Sequence, residues 1–341
     1  MNDNKQNVHE LLRERGLPKL RSISIDCTTA CNLRCSHCYL TSQQRANTHA
    51  MLDVKRFAAF LPVLARNGCF EIRFVGGEPL LHPQFDELYY AAKKAGLVAT
   101  VFTNGTLLTH EWIEFFQRYP VYQLIITLYG ASDAEYQVLS PMRENFLFSR
   151  LVSMIQEIET SKIDMKLQCR LSKDNIDLPE RLARVLKVDH VPSSIITYPR
   201  PNDKTNMKNM APVSLLKENS GSRHIPSKLR LRDIIAPLKL RVGCGAGLTS
   251  VHITIDWHLK ACYFLDDICV PFTLDTFEQI FYEQLPMLLS GEIAAGSACA
   301  QCPTGLQDRC ARCAALGYGT KKHAEERDIL CYRAQHDIQE I

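Results

Sequence analysis

Ser22-Ile-Ser-Ile-Asp26-Cys27-Thr-Thr-Ala-Cys31-Asn-Leu-Arg-Cys35-Ser-His-Cys38-Tyr39 joins an alternating apolar run to a loop that carries three thiols. The alternation predicts a β-strand over Ser22 to Asp26. Outward from it, to about residue 200, short apolar runs alternate with amphipathic stretches, the pattern of repeated βα units around a parallel sheet. Further strands are expected at Glu71 to Val75, Ala99 to Phe102, Gln123 to Leu128, Asp164 to Cys169 and Ser194 to Tyr198. Helical spacing covers Asp53 to Arg66, Pro83 to Ala95, Thr109 to Arg118, Phe148 to Thr160 and Leu178 to Leu186. Six such units predict an α/β fold, a partial (β/α)6 TIM-like barrel, whose chemistry sits where strands end and loops begin.

Composition narrows the function. With 40 basic and 37 acidic residues the formal charge is only +3 and no long block of like charge occurs, so a dedicated nucleic-acid binder is not indicated. The polar start, Met1-Asn-Asp-Asn-Lys-Gln, has no apolar core of a signal peptide, and no later run of apolar residues is long enough to span a bilayer. A cytoplasmic protein without membrane contact is therefore expected. Fourteen cysteines in that setting point to metal or redox chemistry in place of disulfides. Cys27, Cys69 and Cys169 are scattered through strand-like or helix-end segments and read as small core residues.

The chain divides into an N-terminal extension (1–20), the barrel (21–205), a linker rich in Pro, Asn, Ser and Lys (206–240), and a cysteine-rich domain (241–335). A small domain of that composition, with short strands such as Ser250 to Ile255, would be held by metal more than by its core.

Cys31, Cys35 and Cys38 lie on one loop at the expected active face of the barrel. Thiolates are natural ligands of iron–sulfur clusters. Three of them cannot close a four-iron cluster, which leaves one iron open to a substrate or cofactor. A zinc knuckle completed by His37 is the competing reading, yet Cys-x3-Cys-x2-Cys departs from the usual zinc spacings. Gly76-Gly77-Glu78-Pro79 follows the second strand, where glycines let backbone carbonyls approach a ligand and the carboxylate can accept from an ammonium.

Taken together, the Cys-x3-Cys-x2-Cys loop with Tyr39 after it and the Gly76–Pro79 segment resemble the signature of the radical S-adenosylmethionine (SAM) superfamily. The resemblance implies a [4Fe-4S] cluster whose open iron is chelated by SAM, with one-electron reduction releasing a 5′-deoxyadenosyl radical. Gly76, Gly77, Glu78 and Pro79 would hold the SAM amino group. Thr103-Asn104-Gly105 resembles the family's TNG stretch, and Thr127 and Arg170 lie where relatives place polar groups against SAM.

Cys244, Cys262, Cys299, Cys302, Cys310, Cys313 and Cys331 resemble, in order, the SPASM extension of such enzymes, which carries auxiliary [4Fe-4S] clusters. The match implies one or two of them: Cys244, Cys262 and Cys313 around the first, and Cys299, Cys302, Cys310 and Cys331 around the second. The first then lacks a fourth thiolate, which Cys269 could supply. Relatives show glycine five residues before the second of these cysteines, where this chain has Trp257. Paired Cys-x2-Cys motifs are also a zinc pattern, so a non-catalytic zinc scaffold is the competing expectation.

Relatives with this extension act on ribosomally made peptides or on small molecules such as aminocyclitols. The auxiliary cysteines and Ile126-Thr-Leu-Tyr-Gly130, which resembles segments in peptide-modifying members, favour a peptide substrate. The short N-terminal extension has no room for a fused leader-binding domain, so either a separate leader-peptide-binding protein or recognition through the linker region is expected. So is a reductant such as flavodoxin or ferredoxin. Maturases that oxidise sulfatase cysteine or serine carry an acidic residue where Tyr263 stands, which discounts that subclass. Candidates for acid–base work are Tyr198, Asp266, Asp267 and Glu78.

Overall fold

The computed structural model describes residues 10–35, 38–40, 50–139, 145–171, 175–187, 193–196, 244–263, 265 and 268–290. Six parallel strands form in chain order: β1 (Ser22–Asp26), β2 (Glu71–Val75), β3 (Val98–Thr103), β4 (Gln123–Leu128), β5 (Met165–Leu171) and β6 (Ser193–Ile196). Helices α1 (Val54–Arg66), α2 (Phe85–Lys94), α3 (His110–Arg118), α4 (Asp133–Leu139), α5 (Leu147–Glu159) and α6 (Leu178–Leu186) connect them. Each of these six strands pairs in parallel with its sequence neighbour, so the chain crosses back through a helical segment between them.

Side chains alternate across each strand. Ile23 and Ile25 of β1 and Ile72 and Phe74 of β2 are buried, and Phe74 packs edge-to-face on Phe85 of α2 and tilted against Phe57 of α1. The alternate set is mixed: Ser22, Ser24 and Asp26 on β1, Glu71 and Arg73 on β2, Thr127 on β4, and Gln168 and Arg170 on β5 are polar, while Val75 of β2 and Ile125 of β4 are apolar. A closed TIM barrel fills its interior with branched apolar side chains. Here the mixed set leaves room for a cavity among the strand ends.

The sheet does not stop at β1. Strand β7 (Ser250–Ile253) pairs parallel with it, Ser22 opposite Ser250 and Ile25 opposite Ile253. Strands β8 (His258–Lys260) and β9 (Cys269–Pro271) follow antiparallel, giving a nine-stranded order β6-β5-β4-β3-β2-β1-β7-β8-β9. The strand expected inside a separate cysteine-rich domain thus extends the barrel sheet and covers what would be a bare edge on β1. Beyond β9, α7 (Phe277–Gln279), a π turn (Ile280–Gln284) and α8 (Leu285–Leu289) return to the core through Phe277, Phe281, Leu285 and Leu289. The linker at 206–240 lies outside the described residues. Among the described residues no helix is long and apolar enough to cross a membrane.

Candidate functional site

A cavity of about 250 Å³ opens at the C-terminal ends of the barrel strands, lined by all three loop cysteines, by Gly76, Gly77 and Asn104, and by Thr127, Gln168 and Arg170. Every strand from β1 to β5 contributes to its wall, through its own side chains or the loop after it. The loop after β1 is held in place by the loop after β2. Gly77 N–H donates to the Thr28 carbonyl at 2.6 Å and Glu78 N–H to the Ala30 carbonyl at 2.7 Å. That apposition needs glycine. Gly76 adopts φ +122°, and a Cβ on it would lie 2.4 Å from the Thr28 carbonyl oxygen.

Cys35 is buried, while Cys31 and Cys38 are half-buried. None is in a disulfide. The Cys31 sulfur accepts from the Leu33 amide at 3.4 Å and lies 3.8 Å from Asn104 Nδ2. Burial, and then the neighbouring Glu78 carboxylate, push the Cys31 thiol up to about 12. A bare thiolate is therefore disfavoured here, and a positively charged metal centre would supply what deprotonation needs. Among the described residues no three Cys, His, Asp or Glu side chains converge to hold a metal ion. Three thiols on one wall, with amide donors to sulfur, fit the corners of a cluster, whose ligands need not meet at a point.

Glu78 and Pro79 do not line the cavity. Glu78 is fully buried and caps a 3-10 turn, Pro79–Leu81. Its Oε1 accepts from Thr103 Oγ1 at 2.6 Å and Leu80 N at 3.2 Å, and its Oε2 from Asn104 N at 2.7 Å. In this geometry the carboxylate braces the loops after β2 and β3, and the ligand-facing atoms of the segment are those of Gly76 and Gly77. Asn104 is fixed in turn: its Oδ1 accepts from Thr106 N–H at 2.9 Å and Thr106 O–H at 2.7 Å, and its Nδ2 donates to Asn32 at 2.9 Å.

Burial pushes the Glu78 carboxyl up from 4.5 to about 7, against the lowering effect of the bonds it accepts. A carboxyl raised in the fold contributes stability that is full below about pH 4.5 and lost as pH rises through 7. Relative to Glu78→Gln, the wild type is expected to lose roughly 3 kcal/mol between about pH 4.5 and pH 8 in urea unfolding. Parallel curves for the two proteins would show that Glu78 carries no such burden.

Thr127 and Arg170 line the cavity as their strand-end positions suggested. Sequence reasoning missed Gln168, whose Nε2 donates to Thr127 Oγ1 at 2.8 Å, and Tyr129. Each stands two residues from a residue that was singled out, and strand alternation would have found both. Also missed were Ser24, Arg73 and Tyr263 on the wall. Cys27, Cys69 and Cys169 are buried core residues.

Of the C-terminal cysteines, Cys244 and Cys269 are exposed and Cys262 half-buried. Cys269 sits opposite Lys260 in the β8–β9 register, so it and Cys262 share one end of that hairpin. Cys299, Cys302, Cys310, Cys313 and Cys331 lie outside the described residues, as do Tyr198, Asp266 and Asp267.

Fold and site together define an open parallel α/β barrel that gathers three thiols and a glycine cradle at its C-terminal face. Residues 25–168 match the Radical SAM superfamily, and the chain carries that superfamily's domain. The chain is similar to a GTP 3′,8-cyclase of Chlorobaculum tepidum, 37% identical over 32% of this chain and 33% of that protein. It is also similar to the antilisterial bacteriocin subtilosin biosynthesis protein AlbA of Bacillus subtilis, 36% identical over 28% of this chain and 21% of that protein. The chain thus spans a third or less of the length of these relatives. Its fold is that of Streptococcus suis SuiB solved with its precursor peptide SuiA, with a TM-score of 0.67 at 16% identity over 96% of this chain and 80% of that one.

Proposed function

We propose that this chain is a cytoplasmic radical SAM enzyme that abstracts hydrogen from a ribosomally made peptide. The observation that carries the reading is the convergence of Cys31, Cys35 and Cys38 with the Gly76–Gly77 backbone, Asn104, Thr127 and Arg170 on one cavity. A [4Fe-4S] cluster and SAM bound there would supply the radical chemistry, reductive cleavage of SAM coupled to abstraction of a hydrogen atom from substrate carbon. The chain's own part is to hold and orient. The three cysteines would ligate three irons, the carbonyls of Gly76 and Gly77 would accept from the ammonium, and Arg170 would face the carboxylate with its fork. Thr127, fixed by Gln168, and Asn104 offer hydrogen bonds to the ribose and its surroundings.

The likeness to AlbA, named for the biosynthesis of a bacteriocin, supports a peptide substrate. Cys262 and Cys269 at one hairpin end support an auxiliary cluster in which Cys269 completes the set begun by Cys244 and Cys262. A flavodoxin- or ferredoxin-type reductant and a separate leader-peptide-binding protein complete the scheme. The likeness to a GTP 3′,8-cyclase favours the second reading, a small-molecule substrate processed with the same radical.

The test is anaerobic reconstitution, with iron, sulfide and zinc quantified and 5′-deoxyadenosine measured after adding SAM and dithionite. A Cys31, Cys35, Cys38 triple alanine variant serves as control. The wild type is expected to bind cluster iron and to make deoxyadenosine, and the variant to make none. Stoichiometric zinc without iron or deoxyadenosine would overturn the reading in favour of a zinc scaffold.

A further inference from the structure

Asp26 and His252 are each 2% exposed, a buried acid–imidazole pair that joins β1 to β7 and that the assignment above does not use. Burying such a pair costs desolvation that must be offset by good hydrogen bonds. Polar contacts are present on both ring nitrogens. Ser24 Oγ lies 3.0 Å from His252 Nδ1, and the opposite ring nitrogen, Nε2, lies 3.3 Å from Asp26 Oδ2. The other Asp26 oxygen is 3.3 Å from the Tyr39 hydroxyl, and that hydroxyl donates to the Gly76 carbonyl at 2.8 Å.

The chain of contacts therefore ends on a carbonyl in the cavity wall. Gly76 has no side chain to restrict its backbone, so the direction of its carbonyl is set by what bonds to it. A carbonyl oxygen has two lone pairs, and the Tyr39 bond leaves one for a ligand. The Tyr39 ring is itself fixed, edge-to-face against Tyr263 with centroids 5.5 Å apart, and Tyr263 packs in the same way on the His252 ring at 5.9 Å. Cavity wall, thiol loop and β7 are thereby tied through one phenol.

We propose that the Tyr39 hydroxyl, its ring held edge-to-face by Tyr263, is a positioning group that aims the Gly76 carbonyl at the ammonium of SAM. The inference rests on the SAM reading above and adds to it a residue outside both signature motifs' ligand sets, together with a support from β7. It gives the aromatic after the third cysteine a task distinct from that of the thiols.

The test is equilibrium binding by calorimetry to the anaerobically reconstituted protein, with two probes. One is SAM; the other is 5′-methylthioadenosine, which keeps the nucleoside and sulfur and lacks the amino acid. Tyr39→Phe keeps the ring and its packing. It is expected to retain wild-type iron, to bind SAM roughly three- to tenfold more weakly, the size of one neutral hydrogen bond, and to bind methylthioadenosine unchanged. Unchanged SAM affinity in Tyr39→Phe would overturn the proposal, and so would equal weakening of both probes, which would mark a general packing role. A wild-type protein that holds a cluster and binds no SAM would instead remove the SAM reading itself.

Discussion

Gly77→Ala is expected to leave the barrel folded and the protein with little or no cluster iron after reconstitution. A Cβ at this position would lie 2.0 Å from the Ala30 carbonyl oxygen, 2.6 Å from its carbon and 2.8 Å from the Thr29 carbonyl oxygen. All three are backbone atoms of the segment that runs directly into Cys31, so no rotamer change relieves the clash. The thiol loop must retreat by more than about 1 Å, a displacement of the size that disables preorganised sites. It must also stretch the bond from Glu78 N–H to the Ala30 carbonyl, 2.7 Å long, that holds the two loops together. Gly96→Ala is the control: it has φ +83° but nothing within 4 Å of its added Cβ, so its cost is backbone strain alone, about 1 kcal/mol. Iron and sulfide per chain, set beside far-UV circular dichroism, check the pair. Full iron in Gly77→Ala would mean that the apposition of these loops does not place the thiols.

The barrel was legible because its strands satisfy two independent signals at once. Ser22–Asp26, Glu71–Val75 and Gln123–Leu128 form where the apolar pattern ends against turn residues, and their bounds coincide with expectation. The site was legible for a different reason: its residues cluster in short loops directly after strands, so local sequence carries both chemistry and place. Helix α4 was not read. Its seven residues are too few for a helical period to show, and what fixes it is tertiary: Asp133 accepts from Phe148 N–H at 2.8 Å and Ser149 N–H at 3.0 Å, capping the start of α5.

Pairing across the chain was the larger omission. Alternation along β7 tells which side chains share a face, but not that the strand lies on β1. Ser24 and His252 are 228 positions apart, and nothing local to either indicates the other. The same holds for Glu78. A carboxylate in a glycine turn reads as a ligand group, whereas Thr103 and the Asn104 amide, delivered by the next strand, occupy it.

Trp257 stands where the resemblance read from the sequence leads one to expect glycine, and the turn it occupies gives that substitution a measurable consequence. Trp257 sits at φ +62° in the turn between β7 and β8, closed by its own N–H to the Thr254 carbonyl at 3.0 Å. That is the left-handed conformation a glycine adopts freely, and for tryptophan it costs about 1 to 2 kcal/mol. Against this stands the indole, 4% exposed, its centroid 5.6 Å from both Phe60 and Phe272, with the Arg56 guanidinium 4.2 Å above the ring. Truncating a buried tryptophan costs about 3 to 5 kcal/mol and the cation–π contact adds about 0.5 to 1 at a site of this kind. Packing outweighs strain, so Trp257→Gly is expected to destabilise the protein by about 2 to 4 kcal/mol in guanidinium unfolding. The loss should fall on the β7–β8–β9 meander, whose amides would exchange with deuterium faster while those of β3 and β4 keep their protection. A stabilised variant would reverse the ranking, making backbone strain the dominant quantity at this turn. Faster exchange spread evenly through the barrel would show instead that β7 is integral to its cooperativity, as its pairing along Ser22 to Ile25 of β1 allows.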